Sequence, residues 1–313
     1  MNKKNHSHTI YLEKLKKLVP KNLIIEEVNE DKKELVNQFL KSRKDLGFTF
    51  DELTPHFGKN WDYNKYPYGN IMRETNSKKI VGFMATIYSQ RIVEGRHYLC
   101  CNLAHFYVEK EFRMFAYFFF LYLLERNKIV IYSHTPKDTI MNIYRKLNFE
   151  IQIMKYTISL GLNIKSIFSK NFKRFKIINN KQDIENILDE KDKKIYDDHR
   201  KYNCLHFVVI DEKKILKPCY FVGKRIKKFQ IQLIDILYTS NFAQYKDFAP
   251  EIFTKVSLFY KSFLVGQRYF KESEKFENNF SFFSKTVEKF VPIKKYNNFY
   301  VFDTLYSDHV LFT

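Results

Sequence analysis

Residues 112–124 (FRMFAYFFFLYLL) are apolar around every face of a helix, and Arg113 is the only charge among them. The stretch is well short of the ~20 residues that span a bilayer. It must therefore bury itself in protein, packed on more than one side. Residues 98–108 before it and 128–133 after it are β-rich. A strand–helix–strand unit of this kind implies a sheet covered by helices.

The rest of the first half extends that pattern. Residues 22–28 read as a strand and 31–43 as a helix with an acidic start. Residues 70–74 and 79–93 read as strands joined at Asn76-Ser77-Lys78, and Glu94-Gly95 is the next turn. Residues 112–126 and 138–147 are helical, and 149–160 return as strand. The fold class expected is α+β, a mixed sheet flanked by helices.

Residues 163–180 read as a basic connector, and a second pass begins beyond it. Residues 183–202 are expected to be helical, 205–210, 215–225 and 229–238 strands, and 249–263 a helix. Two terminal strands are expected at 298–302 and 310–312. Strand, strand, strand, helix repeats the order of residues 70–126. With 313 residues favouring two domains, lobes of 1–162 and 163–313 are expected, the second a degenerate repeat of the first.

Lys and Arg exceed Asp and Glu by 54 − 35 = 19. Such an excess attracts anionic partners, though the abundance of Lys, Asn, Ile, Phe and Tyr equally suits codon bias. The basic residues are scattered, so nucleic acid is not the expected partner, and tRNA stays open. Cys100, Cys101, Cys204 and Cys219 have no metal-ligand spacing, and no metal site is expected. Adjacent cysteines on a strand point to opposite faces, so buried reduced thiols are expected rather than a Cys100–Cys101 disulfide. Residues 1–17 are basic and lack the apolar core of a signal peptide. The expectation is a cytoplasmic protein without a transmembrane segment.

Three motifs carry chemistry. The run Val108-Glu109-Lys110-Glu111-Phe112-Arg113-Met114-Phe115-Ala116-Tyr117-Phe118 leaves a strand and opens a helix. Such a junction offers backbone N–H groups and the positive end of the helix dipole to a phosphate. Ile143-Tyr144-Arg145-Lys146-Leu147-Asn148-Phe149-Glu150 closes the next helix, with an Asn that tolerates the left-handed conformation. Lys79-Ile80-Val81-Gly82-Phe83 opens a central strand.

In order and spacing these segments resemble the GNAT superfamily of N-acetyltransferases, over about residues 22–160. The resemblance matches Arg113 to the family's opening Arg or Gln and Ala116 to its first glycine. Phe118 and Asn148 stand where the family prefers small residues. The resemblance implies acetyl-CoA or another acyl-CoA as cosubstrate. Phe106 and Val108 of the strand, with Arg113, Met114, Phe115, Ala116, Tyr117 and Phe118, would hold it. It implies Tyr144 as proton donor to the departing thiolate, with a packing tyrosine as the competing reading, and direct attack by an amine or hydroxyl. His105 is the base candidate on the strand, ahead of Cys101, Tyr107 and Glu94, and a histidine satisfied within the sheet is the competing reading.

Trp61 and Tyr68, in an aromatic loop, would face a small-molecule or sugar-containing acceptor, or else plug the loop. Asp235, a lone carboxylate among apolar strand residues, needs a polar partner and is either a cleft residue or a structural one. Asp303, Asp308 and His309 form either a polar cluster or a turn. Two further functions fit the same fold: transfer from aminoacyl-tRNA by a tandem GNAT-like protein, and a non-catalytic anion-binding module.

Overall fold

The computed structural model describes residues 13–15, 17–43, 61, 66–93, 95–126, 128–228, 230–270, 284–294, 303–307 and 310. In the first half the elements are β1 (Leu23–Val28), α1 (Lys33–Lys41), β2 (Gly69–Glu74), β3 (Ile80–Val93), β4 (Arg96–Val108), α2 (Tyr117–Leu124), β5 (Ile129–Tyr132), α3 (Asp138–Lys146) and β6 (Glu150–Leu160). They are followed by β7 (Phe175–Ile178), α4 (Lys181–Ile187), α5 (Glu190–His199), β8 (Leu205–Asp211), β9 (Cys219–Lys228), β10 (Ile231–Thr239), α6 (Ala249–Tyr260), β11 (Leu264–Phe270) and β12 (Ser284–Lys294). Among the described residues no helix is long and apolar enough to cross a membrane.

The chain divides into two compact units. The first comprises Met1–Ile151, Val291–Tyr300 and Tyr306–Phe312. Its strands lie in the order β1-β2-β3-β4-β5, antiparallel except for the parallel pair β4–β5. A parallel pair needs a crossover, and α2 supplies it. Lys78 (φ +58°) and Gly95 (φ +73°) turn the two hairpins. On α1, Val36, Phe39 and Leu40 are buried at helical spacing, and Phe39 meets Tyr107 of β4 edge-on at 5.9 Å. On the other face α2 comes so close that a Cβ on Gly82 would stand 3.2 Å from the Phe119 ring. The terminal residues of β12, Ile293 and Lys294, pair antiparallel with Tyr132 and Ile131 of β5.

The second unit comprises Gln152–Phe290, Val301–Leu305 and Thr313. Its order is β7-β8-β9-β10-β11-β6, again antiparallel except for one pair, β10–β11, joined through α6. Phe175, Phe207, Phe221, Ile234, Val256 and Val265 form its core. Each crossover helix is preceded by a 3-10 turn, Lys110–Phe115 in the first unit and Phe242–Phe248 in the second. Both units therefore run the same topology, and each is completed by a strand from the other half of the sequence.

Several local readings change. Residues 183–202 make two helices, because Leu188 is extended and Asp189 caps α5 by accepting from the Asp192 amide at 2.8 Å. The strand expected from 215 starts at Cys219. The Asp211 carboxylate gathers the amides of Lys213, Ile215 and Leu216, at 3.1–3.2 Å, and the Arg174 guanidinium, which folds that stretch into a turn. Strands β7, β11 and β12 lie in stretches that carry no strand expectation. Val310 is helical rather than part of a strand, and residues 298–302 lie outside the described residues.

A chain ending at Leu162 loses the strand that borders β5. It also loses the Lys294 ammonium, which donates to the carbonyls of Leu147 and Asn148 at 3.5 and 3.3 Å. Such a chain is expected to lack a cooperative thermal transition by circular dichroism; a sharp, reversible melt would show that the first half folds alone.

Candidate functional site

Strand β4 changes character along its length. From Leu99 to Asn102 it pairs with Ile129–Tyr132 of β5, and no pairing with β5 continues beyond Asn102. On its other edge it stays bonded to β3, with one register shift between Met84–Phe106 and Ala85–Ala104. The residue left over is His105, at φ +33°. Such a bulge bends the strand and re-aims a side chain. Burial, and next the Lys137 charge, push the His105 imidazole down to about 4. It is therefore neutral throughout the neutral range.

The end of β4 is anchored by Glu109. Its buried carboxylate is ion-paired with Arg43 and, at 2.8 Å, with Lys79, and its amide donates to Val81 O at 2.8 Å. Arg113 folds back so that Nε donates to Val108 O at 3.3 Å. The chain then makes the 3-10 turn rather than entering the α-helix at once. The Ala116 amide closes that turn on Arg113 O at 3.1 Å. Met114 is exposed, Ala116 is buried, and Phe115, Tyr117 and Phe118 are half-buried. Phe106 packs against the Phe119 and Phe120 rings of α2 at 5.6 and 5.8 Å, and Val108 is buried.

Helix α3 brings in Tyr144. The helix ends in a Schellman closure, with Phe149 N on Tyr144 O, Asn148 N on Arg145 O, and Asn148 at φ +57°. This is the left-handed role the sequence gives that Asn. The Tyr144 ring is buried edge-on between Phe120 at 5.1 Å and Phe149 at 5.0 Å. Its phenol is hydrogen-bonded to the Ser133 side chain, and burial pushes it well above the usual phenol range. Ser133 donates through Oγ to Leu103 O at 3.1 Å, where β4 leaves β5. Tyr144 thus reaches β4 two residues from His105, through a serine that carried no signal in the sequence.

Asn102, the last residue of β4 paired with β5, is fully buried, and among the described residues neither atom of its side-chain amide has a hydrogen-bond partner. Its neighbour Cys101 has its thiol pushed well up by burial, and all four cysteines are free. Cys101 is therefore no nucleophile at neutral pH.

The other described candidates have partners of their own. Trp61 is buried edge-on against Tyr306 at 5.2 Å. Tyr68 is buried with its hydroxyl donating to Glu30 at 3.0 Å and the Lys33 ammonium over its ring. Asp235 belongs to the second unit, where it is paired with Arg268 at 2.7 Å. Asp303 accepts from the Leu305 amide at 3.0 Å within a turn. Glu94, Asp308 and His309 lie outside the described residues.

No protein-family model matches the sequence, and no curated protein matches it. Solved structures do match. A GCN5-related N-acetyltransferase from Anabaena variabilis superposes with TM-score 0.56 at 8 % identity, over 87 % of this chain and 72 % of that one. One from Kribbella flavida gives 0.53 at 10 %, over 87 % and 70 %. The glucosamine N-acetyltransferase region of a fungal multi-domain GH3 β-N-acetylglucosaminidase gives 0.55 at 9 %, over 88 % of this chain and 38 % of that one. The end of β4–β5 pairing at Asn102, the turn after β4 and these superpositions agree: the chain has the GNAT fold, that of the GCN5-related N-acetyltransferases.

Proposed function

We propose that the protein is an acyl-CoA-dependent acyltransferase that moves an acyl group, acetyl in the first instance, to an amine or hydroxyl of a small-molecule or sugar-containing acceptor. The observation that carries this reading is the β4 edge, which among the described residues has no strand beyond Asn102, with the Arg113 turn at its end and the Tyr144 phenol tethered through Ser133 to Leu103. A strand edge of this kind takes an extended, amide-bearing ligand as it would another strand. Ala116 offers the smallest side chain after glycine where the phosphates would approach.

The acyl thioester supplies the electrophile. His105, neutral by burial, accepts a proton from the acceptor as the acceptor's nitrogen or oxygen bonds to the acyl carbon. Tyr144 stays protonated and donates to the sulfur as the carbon–sulfur bond breaks. The residues between Arg113 and Phe118 hold the pyrophosphate. The second lobe has no corresponding cradle in this reading, so titration should give one coenzyme site per chain.

Acetyl-CoA at about a hundred times its Kd should stabilise the protein by about 2.7 kcal/mol, read as a rise in melting temperature. Ala116→Val places a branched side chain against the turn and should abolish that rise, even where overpacking at this buried position lowers the unliganded melting temperature. Stabilisation that survives in a folded Ala116→Val protein removes the assignment of the turn. No response to any acyl-CoA, together with a response to aminoacyl-tRNA, would replace the reading with the tRNA-dependent one.

A further inference from the structure

Among the described residues, 8 of the 17 exposed large hydrophobic side chains fall in two short stretches of the second unit, 160–168 and 258–263. Phe168 is 84 % exposed, Ile164 72 % and Phe263 64 %, with Leu258 and Phe259 at 47 % on α6. The two stretches form one patch. The Asn163 amide donates to Thr254 Oγ1 at 3.2 Å, Ser169 Oγ to Glu251 Oε1 at 2.8 Å, and the Gly161 amide to Phe263 O at 2.8 Å. A contiguous apolar surface of this kind, rimmed by polar residues, marks an interaction site.

The rim is basic. Lys173, Lys176 and Lys255 line an open cavity of about 460 Å³ together with Phe172, Phe175 and Phe259. Lys255 Nζ stands 4.6 Å from the Phe172 ring centroid. Lys165 and Lys170 are exposed beside Ile164 and Phe168, and Lys261 is exposed beside Phe263. Of the nearby acids, Glu212 lines the cavity and Glu251 accepts from Ser169. Arg174 is taken up by Asp211.

We propose that this face docks on the surface of an anionic membrane. The pattern decides between partners. Nucleic acid would be met by donors with defined geometry, whereas the exposed rings of Phe168, Phe259 and Phe263 suit either partner. Here the most exposed groups include aliphatic side chains with no polar tip, and the charges are lysines, whose flexible stems let the ammonium reach lipid phosphates while apolar neighbours sink to headgroup depth. Ile164, Phe168 and Phe263 enter the interface, and Lys165, Lys170, Lys173 and Lys176 face the phosphates. The chain's excess of 19 positive charges adds long-range attraction to the same surface. The proposal stands apart from the acyltransfer reading, since no residue of that site takes part.

The test is co-sedimentation of the full chain with vesicles of phosphatidylcholine plus phosphatidylserine, against vesicles of phosphatidylcholine alone. Binding is expected to the first kind only, and to weaken as salt is raised. Ile164→Ser with Phe168→Ser should lower the partition coefficient roughly ten- to a hundredfold. Lys173→Gln with Lys176→Gln should lower it about fivefold per charge. All four positions are exposed, so both double variants are expected to keep the parent melting temperature and acetyl-CoA response, which separates failure of this proposal from failure of the enzymatic one. Absence of binding to the anionic vesicles overturns the proposal. So does binding that the Ile164/Phe168 variant leaves unchanged. A patch that instead holds two copies of the chain together, or binds RNA, would show as loss of a dimer or of RNA binding in the same variants without vesicle binding, and would equally overturn it.

Discussion

Tyr144→Phe is expected to slow acyl transfer by roughly 10²–10⁴-fold, the usual contribution of a positioned general acid, while leaving the affinity for acyl-CoA unchanged. The ring keeps its edge contacts with Phe120 and Phe149. Ser133 keeps its bond to Leu103 O. Only the hydroxyl is lost, at a cost to stability of about 1 kcal/mol. A structural tyrosine and a proton donor therefore predict different outcomes. If Tyr144 only packs, the variant retains parent turnover and melts slightly lower. If it donates to the thiolate, turnover falls at constant substrate Kd. Burial holds the phenol far above the usual range, so the parent rate should show no loss from Tyr144 ionisation up to pH 9. Steady-state kinetics beside equilibrium binding of acetyl-CoA decide the question.

The second large effect is on stability in mild acid. Burial is the largest cause that lowers His105, His199 and His206, each to about 4. His199 Nδ1 lies 2.8 Å from Ile195 O, and His206 Nδ1 lies 2.7 Å from the Tyr220 hydroxyl. An unfolded histidine titrates near 6.5, so between about pH 6.5 and 4 the unfolded chain binds more protons than the folded one. Stability then falls as pH falls through that window, by up to about 3 kcal/mol per site. Below about 4 these groups are protonated in both states and add no further loss. Asp211, held well below the usual carboxylate range by Arg174 and backbone amides, contributes stability that is lost only at still lower pH. Against a total of about 5–15 kcal/mol, the three histidines make the protein acid-labile. Urea midpoints measured stepwise from pH 7 to 4 should drop steeply; a flat profile over that range would refute the burial of neutral imidazoles.

The order of elements through residue 160 is legible in the amino-acid sequence alone. The signals there are local: the all-apolar helix at 112–124, the β-rich runs of the long central strands, Gly95 and Asn76-Ser77-Lys78 at the hairpins, and Asn148 at a helix end. An apolar helix, an apolar run bounded by turns and a left-handed turn residue need no distant partner to be legible. The sequence also placed Tyr144 and His105 on elements that the structure brings to one stretch of β4.

What lies beside what emerges in the folded chain. Strand β7 is only four residues long with Lys176 inside it, and β12 carries Lys285, Lys289 and Lys294, so neither sequence shows the alternation that marks a half-buried strand, and pairing makes them β. The partner of β5 comes from residues 293 and 294, more than 150 positions away, and the partner of Asp235 is Arg268 on a strand the sequence did not reveal. Ser133, the link from Tyr144 to Leu103, has no signal of its own, since a serine at a strand end is ordinary until a phenol is placed beside it. Hydrophobic period specifies which face of an element is buried. Which edge pairs with which, and which charge meets which, is settled by chain segments that meet only after the sheet is built.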